Sequence, residues 1–320
     1  VSKLKTALIT AITLGSALLL SGCKMAILNP MGPIAAEEKH LMITAVLLML
    51  IVVIPTIILT CVISYKYRAS NTKAKYRPDF THSNKLEAIW WGIPIAIIAV
   101  LGTITWKTSH SLDPYKPLDS KVAPITIQVV SLEWRWLFIY PQQHIATMNF
   151  VEFPANTPVD FEITSDAPMN SFMIQQLAGQ IYAMAGMQTK LHLLATTPGD
   201  YYGRSVSFSG DGFANMQFTA RAAPSQTAFN QWVKSVQQSP NKLTLDSYNK
   251  LVPASSDTST IYYSTVVDGL FNTIMMKYMM PVPPVVPPAK GTQQNQYNSD
   301  RNYNHHKDLI NPKTNKLIKG

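Results

Sequence analysis

Residues 41–65 read Leu-Met-Ile-Thr-Ala-Val-Leu-Leu-Met-Leu-Ile-Val-Val-Ile-Pro-Thr-Ile-Ile-Leu-Thr-Cys-Val-Ile-Ser-Tyr, 25 positions without an Asp, Glu, Lys or Arg. About 20 apolar residues cross the hydrocarbon core of a bilayer as a helix, so this stretch predicts a transmembrane span. Residues 88–106 form a second such stretch of 19 uncharged positions. Pro55 and Pro94 fall inside the two stretches. They would break helices in water, but a bilayer helix tolerates them where neighbouring groups satisfy the freed carbonyls. The link between the spans, residues 66–87, carries Lys66, Arg68, Lys73, Lys75, Arg77 and Lys85 against Asp79 and Glu87. The outer flanks are balanced: Lys24 and Lys39 with Glu37 and Glu38 before the first span, Lys107 and Lys116 with Asp113 and Asp119 after the second. An excess of Lys and Arg marks the cytoplasmic side, which puts the 66–87 link inside and both flanks outside.

Working outward, the two spans explain why only 14% of the 320 residues are charged, against about 25% in soluble chains. The net charge of +9 owes part of its excess to the link. A basic stretch beside a membrane needs no nucleic-acid partner, and none is expected. Two cysteines, Cys23 and Cys61, exclude a disulfide framework, a Cys-rich zinc module and a four-thiolate iron–sulfur cluster. The chain opens with Lys3 and Lys5, continues uncharged from Thr6 to Leu20, and reaches Leu20-Ser21-Gly22-Cys23. A basic start, a short apolar core and small residues compose a secretory signal. The last four residues resemble the bacterial lipoprotein signal, which implies removal of residues 1–22 and acylation of Cys23. Residues 23–40 are then a periplasmic N-terminal segment. Cys61, inside the first span, is read as a packed thiol.

Past the linker Asp113-Pro114-Tyr115-Lys116-Pro117 the pattern changes. Ile125, Ile127 and Val129 alternate with polar residues, and Trp134, Trp136, Phe138 and Tyr140 share one parity. Further runs, 159–164, 190–195, 204–208 and 216–222, are separated by turns such as Thr197-Pro198-Gly199-Asp200 and Gly210-Asp211-Gly212. Period-two runs with turns between them predict an all-β sandwich or barrel, here over residues 107–223 with its strands from residue 122. From residue 224 to 280 the spacing is helical: Phe229, Trp232, Val233 and Val236, then 243–251, then 266–280. Residues 281–320, Pro-rich and then Asn/Gln-rich, cannot bury a core and are expected to be disordered.

No nucleophile motif, phosphate-cradling Gly loop or zinc-spaced His pair stands in the chain. His144 and His192 have no partner at ligand spacing, and no catalytic residue is assigned. The informative text is Asn170-Ser171-Phe172 followed by residues 202–216, Tyr-Gly-Arg-Ser-Val-Ser-Phe-Ser-Gly-Asp-Gly-Phe-Ala-Asn-Met. It resembles subunit II of the haem–copper respiratory oxidases. In copper-bearing members a His-Ser-Phe segment and a Cys-x-Glu-x-Cys-x-x-x-His-x-x-Met loop hold a dinuclear copper site, whose soft metal takes thiolates, imidazoles and a thioether. Here the spacing remains and the ligands do not: Asn170 stands for the first His, Ser205 and Ser209 for the two Cys, Ser207 for the Glu and Phe213 for the second His. Met216 alone keeps a ligand type, and alone it is read as a packing residue.

The copper-less pattern resembles the quinol oxidase branch, the cytochrome bo-type ubiquinol oxidases. Phe138-Ile139-Tyr140-Pro141, Pro154-Ala155-Asn156-Thr157-Pro158 and residues 180–189 are similar to that branch as well. The resemblance covers roughly residues 20–280. It implies a membrane protein with a two-helix hairpin, an all-β cupredoxin-like periplasmic domain and a short C-terminal helical segment, in a bacterial inner membrane. It also implies no metal or other cofactor in this chain. Haems and copper would be in a partner subunit I, which with other oxidase subunits, lipid and, through the complex, ubiquinol makes up the expected partner set. The activity implied is proton-translocating oxidation of quinol by oxygen, with this chain as a structural and assembly subunit. Glu87, in His82-Ser83-Asn84-Lys85-Leu86-Glu87, resembles the family's carboxylate at a proton entry belonging to subunit I; its plainer reading is a helix start, where a negative charge favours the dipole. Trp134-Arg135-Trp136 is read as packing against the partner subunit rather than as an electron relay. Two readings compete with the whole: a copper electron carrier, which needs Cys at 205 and 209, and a non-respiratory lipoprotein scaffold reusing the same domain.

Overall fold

The computed structural model describes residues 25–75 and 80–279. The expected signal 1–22, Cys23 and the 281–320 tail lie outside the described residues. Two long helices come first, α1 (Pro33–Lys66) and α2 (Asn84–Ser111). Pro33 occupies the first helical position, where its missing N–H costs nothing. At 1.5 Å per residue the helices reach about 50 and 42 Å, longer than a hydrocarbon core of about 30 Å. Their apolar side chains are exposed along the shafts, Ile51 and Ile98 among them. The helices outrun the expected spans: α1 starts eight residues before Leu41, and α2 ends five after Trp106. Residues 33–40 include Ala35, Ala36, Glu37, Glu38 and Lys39, good helix formers that carry the helix on beyond the apolar stretch. The 23–40 segment is therefore only in part a connection.

Eleven strands follow: β1 (Ile125–Leu132), β2 (Arg135–Tyr140), β3 (Ile145–Met148), β4 (Phe150–Pro154), β5 (Val159–Ser165), β6 (Asn170–Ile174), β7 (Gln180–Ala183), β8 (Thr189–Leu193), β9 (Gly199–Ser205), β10 (Gln217–Ala223) and β11 (Ile261–Tyr263). They form a cupredoxin-like sandwich of a six-stranded sheet, order β11-β3-β2-β1-β5-β8, and a five-stranded sheet, order β4-β10-β9-β6-β7. The strands go beyond the sequence reading: β3, β4, β6 and β7 lie outside the expected runs, β11 falls in the 224–280 segment expected to be helical, and Gly199 and Asp200, expected in a turn, open β9. Of the expected run 204–208 only Arg204 and Ser205 belong to β9; the chain then leaves the sheet for a loop in which Gly210 takes a left-handed φ of 108°.

The sandwich has two apolar layers. Between the sheets lie Ile127, Val129, Trp136, Phe138, Phe161, Phe172 and Phe218, all nearly fully buried. On the other side of the six-stranded sheet, Val130, Leu132, Leu137 and Ile139 are covered by Leu243, Tyr248, Leu270, Phe271 and Ile274. The covering residues come from the C-terminal segment with α4 (Leu245–Asn249) and α5 (Leu270–Met279), while α3 (Gln226–Val236) caps the first layer through Phe229, Val233 and Val236. Strand β2 is thus buried on both faces, which a parity reading of Trp136, Phe138 and Tyr140 shows only by half.

The Trp134-Arg135-Trp136 expectation is corrected. Trp136 is buried in this chain's own core, edge-on to Phe172 and Phe218, and so it packs against no partner. Trp134 sits with φ 66° in the two-residue turn that joins β1 to β2, a tight reversal requiring a left-handed residue. Arg135 is buried too, and its Nη2 donates to the carbonyls of Leu251 and Pro253 at 2.5 and 3.1 Å, fastening the C-terminal segment.

The start of α1 is clasped to the sandwich. Met31 N donates to Gln176 O at 2.8 Å, Thr196 N donates to Met31 O at 2.8 Å, and Gln176 Nε2 donates to Asn29 O at 3.1 Å. Gly32 allows this approach, since a Cβ there would meet the carbonyls of Leu194 and Leu177. The membrane hairpin and the outer domain are joined by this clasp as well as by the chain itself.

Candidate functional site

Strands β6 and β9 bring the side chains of two of the six marked positions, Asn170 and Ser205, into contact. Phe172 pairs with Ser205 across the two strands, which places Asn170 next to the end of β9. Ser205 Oγ donates to Asn170 Oδ1 at 3.1 Å, both residues being buried, and Asn170 Nδ2 donates to Pro168 O at 2.9 Å. Val206 N donates to Ser171 O at 3.2 Å and Ser205 N to Met216 O at 3.0 Å, closing residues 206–216 into a loop at the sheet's end. Phe213 opens a short 3₁₀ turn, Phe213–Asn215, and its ring meets that of the exposed Phe208 at 5.6 Å. Met216 is buried, its side chain among the inter-sheet core residues.

The interior of this loop is filled by Trp134. Its Nε1 donates to Ser209 O at 3.0 Å, and its ring lies so close to Gly212 that a Cβ there would overlap it. The loop is therefore held by a serine–asparagine hydrogen bond, a tryptophan plug and an aromatic pair. The donors at the six positions are one amide, three hydroxyls, a phenyl ring and a thioether. With neither thiolate nor imidazole in the set, these residues do not fit a dinuclear copper group. Among the described residues, no group of three or more His, Cys, Asp or Glu converges as a metal site.

Glu87 sits in the first turn of α2, exposed, with its backbone N–H donating to Ser83 O at 2.9 Å. Its neighbours Trp90 and Trp91 are also exposed. His192 is a strand residue on β8 and pairs through Nδ1 with Asp160 Oδ1 at 2.6 Å across β5 and β8. A cleft of about 180 Å³ between Ile34 and residues 111–119 falls below the ~300–1,000 Å³ of organic ligand pockets.

Two acidic residues not singled out by sequence shape the domain. Asp166, buried in the β5–β6 connection, accepts from Tyr248 OH at 2.6 Å, Lys277 Nζ at 2.7 Å and Tyr278 OH at 2.5 Å. Burial first, and then this carboxylate, push both phenols well above their ordinary range. Glu152 on β4 stands opposite Arg221 of β10, whose guanidinium is already taken by Asp200 through Nε and Nη2 at 2.6 and 2.9 Å. That bond holds Asp200 below the usual carboxylate range. Burial pushes Glu152 up to about 7, against the pull of Arg221 and with the repulsion of Asp200.

An acid raised from 4.5 to about 7 on folding favours the folded state when protonated. Stability from this group is present below pH ~4.5 and is lost as pH rises towards ~7. Glu152→Gln is expected to raise the melting temperature of the chain at pH 8 by more than at pH 5. Equal gains at the two values, read by thermal denaturation in detergent, would refute the assignment.

Comparison with known proteins agrees with this architecture. The family model described as the transmembrane domain of cytochrome c oxidase subunit II matches residues 30–107, the clasp and both helices. The model described as the COX aromatic rich motif matches residues 237–282, the segment covering the six-stranded sheet. Cytochrome bo(3) ubiquinol oxidase subunit 2 of Pseudomonas aeruginosa is 53% identical over 267 residues, 83% of this chain and 80% of that one. Ubiquinol oxidase subunit 2 of Acetobacter aceti is 51% identical over 83% of this chain and 86% of its own. Quinol oxidase subunit 2 of Bacillus cereus is 40% identical over 73% and 81%. Identity at this level along most of both chains means that the chain belongs to the family of ubiquinol oxidase subunit 2.

Proposed function

We propose that this chain is the second subunit of a membrane quinol oxidase, and that it serves the complex as a structural and assembly subunit without a redox centre of its own. The observation that carries the reading is the 205–216 loop, which keeps its closed shape through Ser205, Asn170 and Trp134 while offering no thiolate or imidazole. Electrons from quinol then pass directly to haems and copper in the large partner subunit, and oxygen is reduced there to water with translocation of protons. The hairpin anchors the chain in the bacterial inner membrane, with the 66–87 link on the cytoplasmic side and the sandwich in the periplasm. A non-respiratory scaffold is not favoured, because the relatives matched along most of the chain are named quinol oxidase subunits. Solubilising the membrane and isolating the chain with what it holds tests the assembly: a haem-bearing partner with quinol-dependent oxygen uptake supports the reading, and a haem-free partner set refutes it.

Two residue roles belong to the same reading. Glu87, exposed in the first turn of α2 at the cytoplasmic end of the hairpin, serves proton entry to the partner. A carboxylate at a membrane surface beside a water path collects protons. Glu87→Ala is expected to slow proton uptake and turnover of the whole complex several-fold while leaving assembly intact; unchanged uptake would mean that Glu87 only favours the helix start. Cys23 carries lipid at the mature amino terminus. The mass of the mature N-terminal peptide decides this: diacylglyceryl and acyl additions on Cys23 are expected, and an unmodified peptide would remove the anchor.

A further inference from the structure

The end of α1 sets two cations against two aromatic rings. The 25 charge-free residues 41–65 reach about 37 Å as a helix, against a hydrocarbon core of about 30 Å. Tyr65, their last residue, therefore stands among the headgroups, and α1 ends one residue later at Lys66. The Arg68 guanidinium lies 4.1 Å from the centre of the Tyr65 ring, and Lys66 Nζ lies 5.7 Å from the centre of the Tyr67 ring. Stacking on a residue three positions earlier returns the guanidinium to headgroup depth.

Arg68 is held in place by its own chain. Its Nη1 donates to Tyr65 O at 2.8 Å and its Nε to Ser70 Oγ at 3.0 Å, while Nη2 has no such partner among the described residues. The four ion pairs formed among the described residues include neither Arg68 nor Lys66, and both residues are exposed. The last carbonyls of α1 are covered as well, Ile63 O by Tyr67 N at 2.9 Å and Lys66 O by Asn71 Nδ2 at 2.6 Å. An anion at Arg68 thus meets donors and not the bare negative end of the helix dipole.

We propose that Arg68, flanked by Lys66, binds the phosphate of an anionic glycerophospholipid at this end of α1. A guanidinium offers its donors in a fixed plane that matches phosphate oxygens, and here that plane is set by the Tyr65 ring before the ligand arrives. Tyr65 and Tyr67, 71% and 57% exposed, suit the boundary between headgroup and acyl chain. The plainer role of Arg68, closing the helix, uses Nη1 alone and leaves Nη2 and the positive charge without a partner. A free phosphate ion presents the same oxygens, but only a lipid is concentrated at this depth. The inference rests on α1 and α2 crossing a bilayer, and neither on the side where the link lies nor on the absence of a redox centre.

The test uses the purified complex, exchanged into fresh detergent to strip loose lipid and titrated with phosphatidylglycerol, with bound copies counted by native mass spectrometry. One phosphatidylglycerol per chain is expected to bind at least about five-fold more weakly, 1 kcal/mol, in Arg68→Gln. Arg68→Lys keeps the charge without the planar fork and is expected to fall between the two. Phosphatidylcholine is expected to bind the natural and Arg68→Gln complexes equally. A helix-closing role alone lowers the melting temperature of Arg68→Gln and leaves its affinity for phosphatidylglycerol unchanged. That unchanged affinity, an Arg68→Lys complex that binds as the natural one does, or displacement of the lipid by inorganic phosphate overturns the proposal.

Discussion

Gly203→Ala is expected to unfold the outer domain several degrees below the natural chain. Gly203 on β9 stands opposite Phe218 on β10, and the ring of Phe218 folds directly over the glycine; a Cβ at 203 would lie within the ring. That ring cannot simply move aside. It is buried, stacked on Phe172 at 5.1 Å with planes 11° apart, and tilted against Phe138 at 5.1 Å. Overpacking of this kind costs about 1–3 kcal/mol, and each kcal/mol lowers the melting temperature of a domain of this size by about 2–4 °C. Gly203→Val is expected to be worse. Removing the ring's bulk in the double variant Gly203→Ala, Phe218→Leu should recover part of the loss relative to the sum of the single changes, since contacting residues do not add. Thermal denaturation followed by near-ultraviolet circular dichroism reads this, and an unchanged Gly203→Ala transition would contradict the packing described.

Asp166→Ala should release the C-terminal segment. The carboxylate is the shared acceptor for Tyr248 on α4 and for Lys277 and Tyr278 on α5, so its removal strands two phenols and an ammonium at once. Tyr248 is buried and cannot turn to water, whereas the Lys277 side chain is half exposed and can, so its share is small. Stranding buried donors costs roughly 1–3 kcal/mol each. Because α4 and α5 cover the outer apolar layer of the six-stranded sheet, the loss falls there first. Hydrogen exchange at residues 245–249 and 270–279 is expected to speed up well before that of β1, β2 and β5. Asp166→Asn keeps an acceptor and should do less. If exchange in the two helices stays at the natural rate in Asp166→Ala, the latch is not what holds them.

These two sites show what a sequence can and cannot disclose. The hairpin was legible because absence of charge is a local property of 25 consecutive residues. The strands were legible where alternation was local, as at Ile125, Ile127 and Val129. Asp166 was not legible, since its partners lie 82 to 112 residues further along the chain and no periodicity connects them. Trp136 was misread because a strand buried on both faces carries apolar residues at both parities; its cover, Leu270, Phe271 and Ile274, belongs to a segment remote in sequence. The six marked positions are legible only through the spacing that carries the resemblance. What spacing could not supply is the means by which the loop keeps its form, the Trp134 plug and the bond from Ser205 to Asn170.

That loop also defines the decisive measurement. On the proposed reading a subunit without thiolates at 205 and 209 takes no electron from a soluble carrier, so the purified complex is predicted to consume oxygen with ubiquinol and not with reduced cytochrome c. Oxygen uptake driven by reduced cytochrome c through a copper centre in this chain would contradict the account.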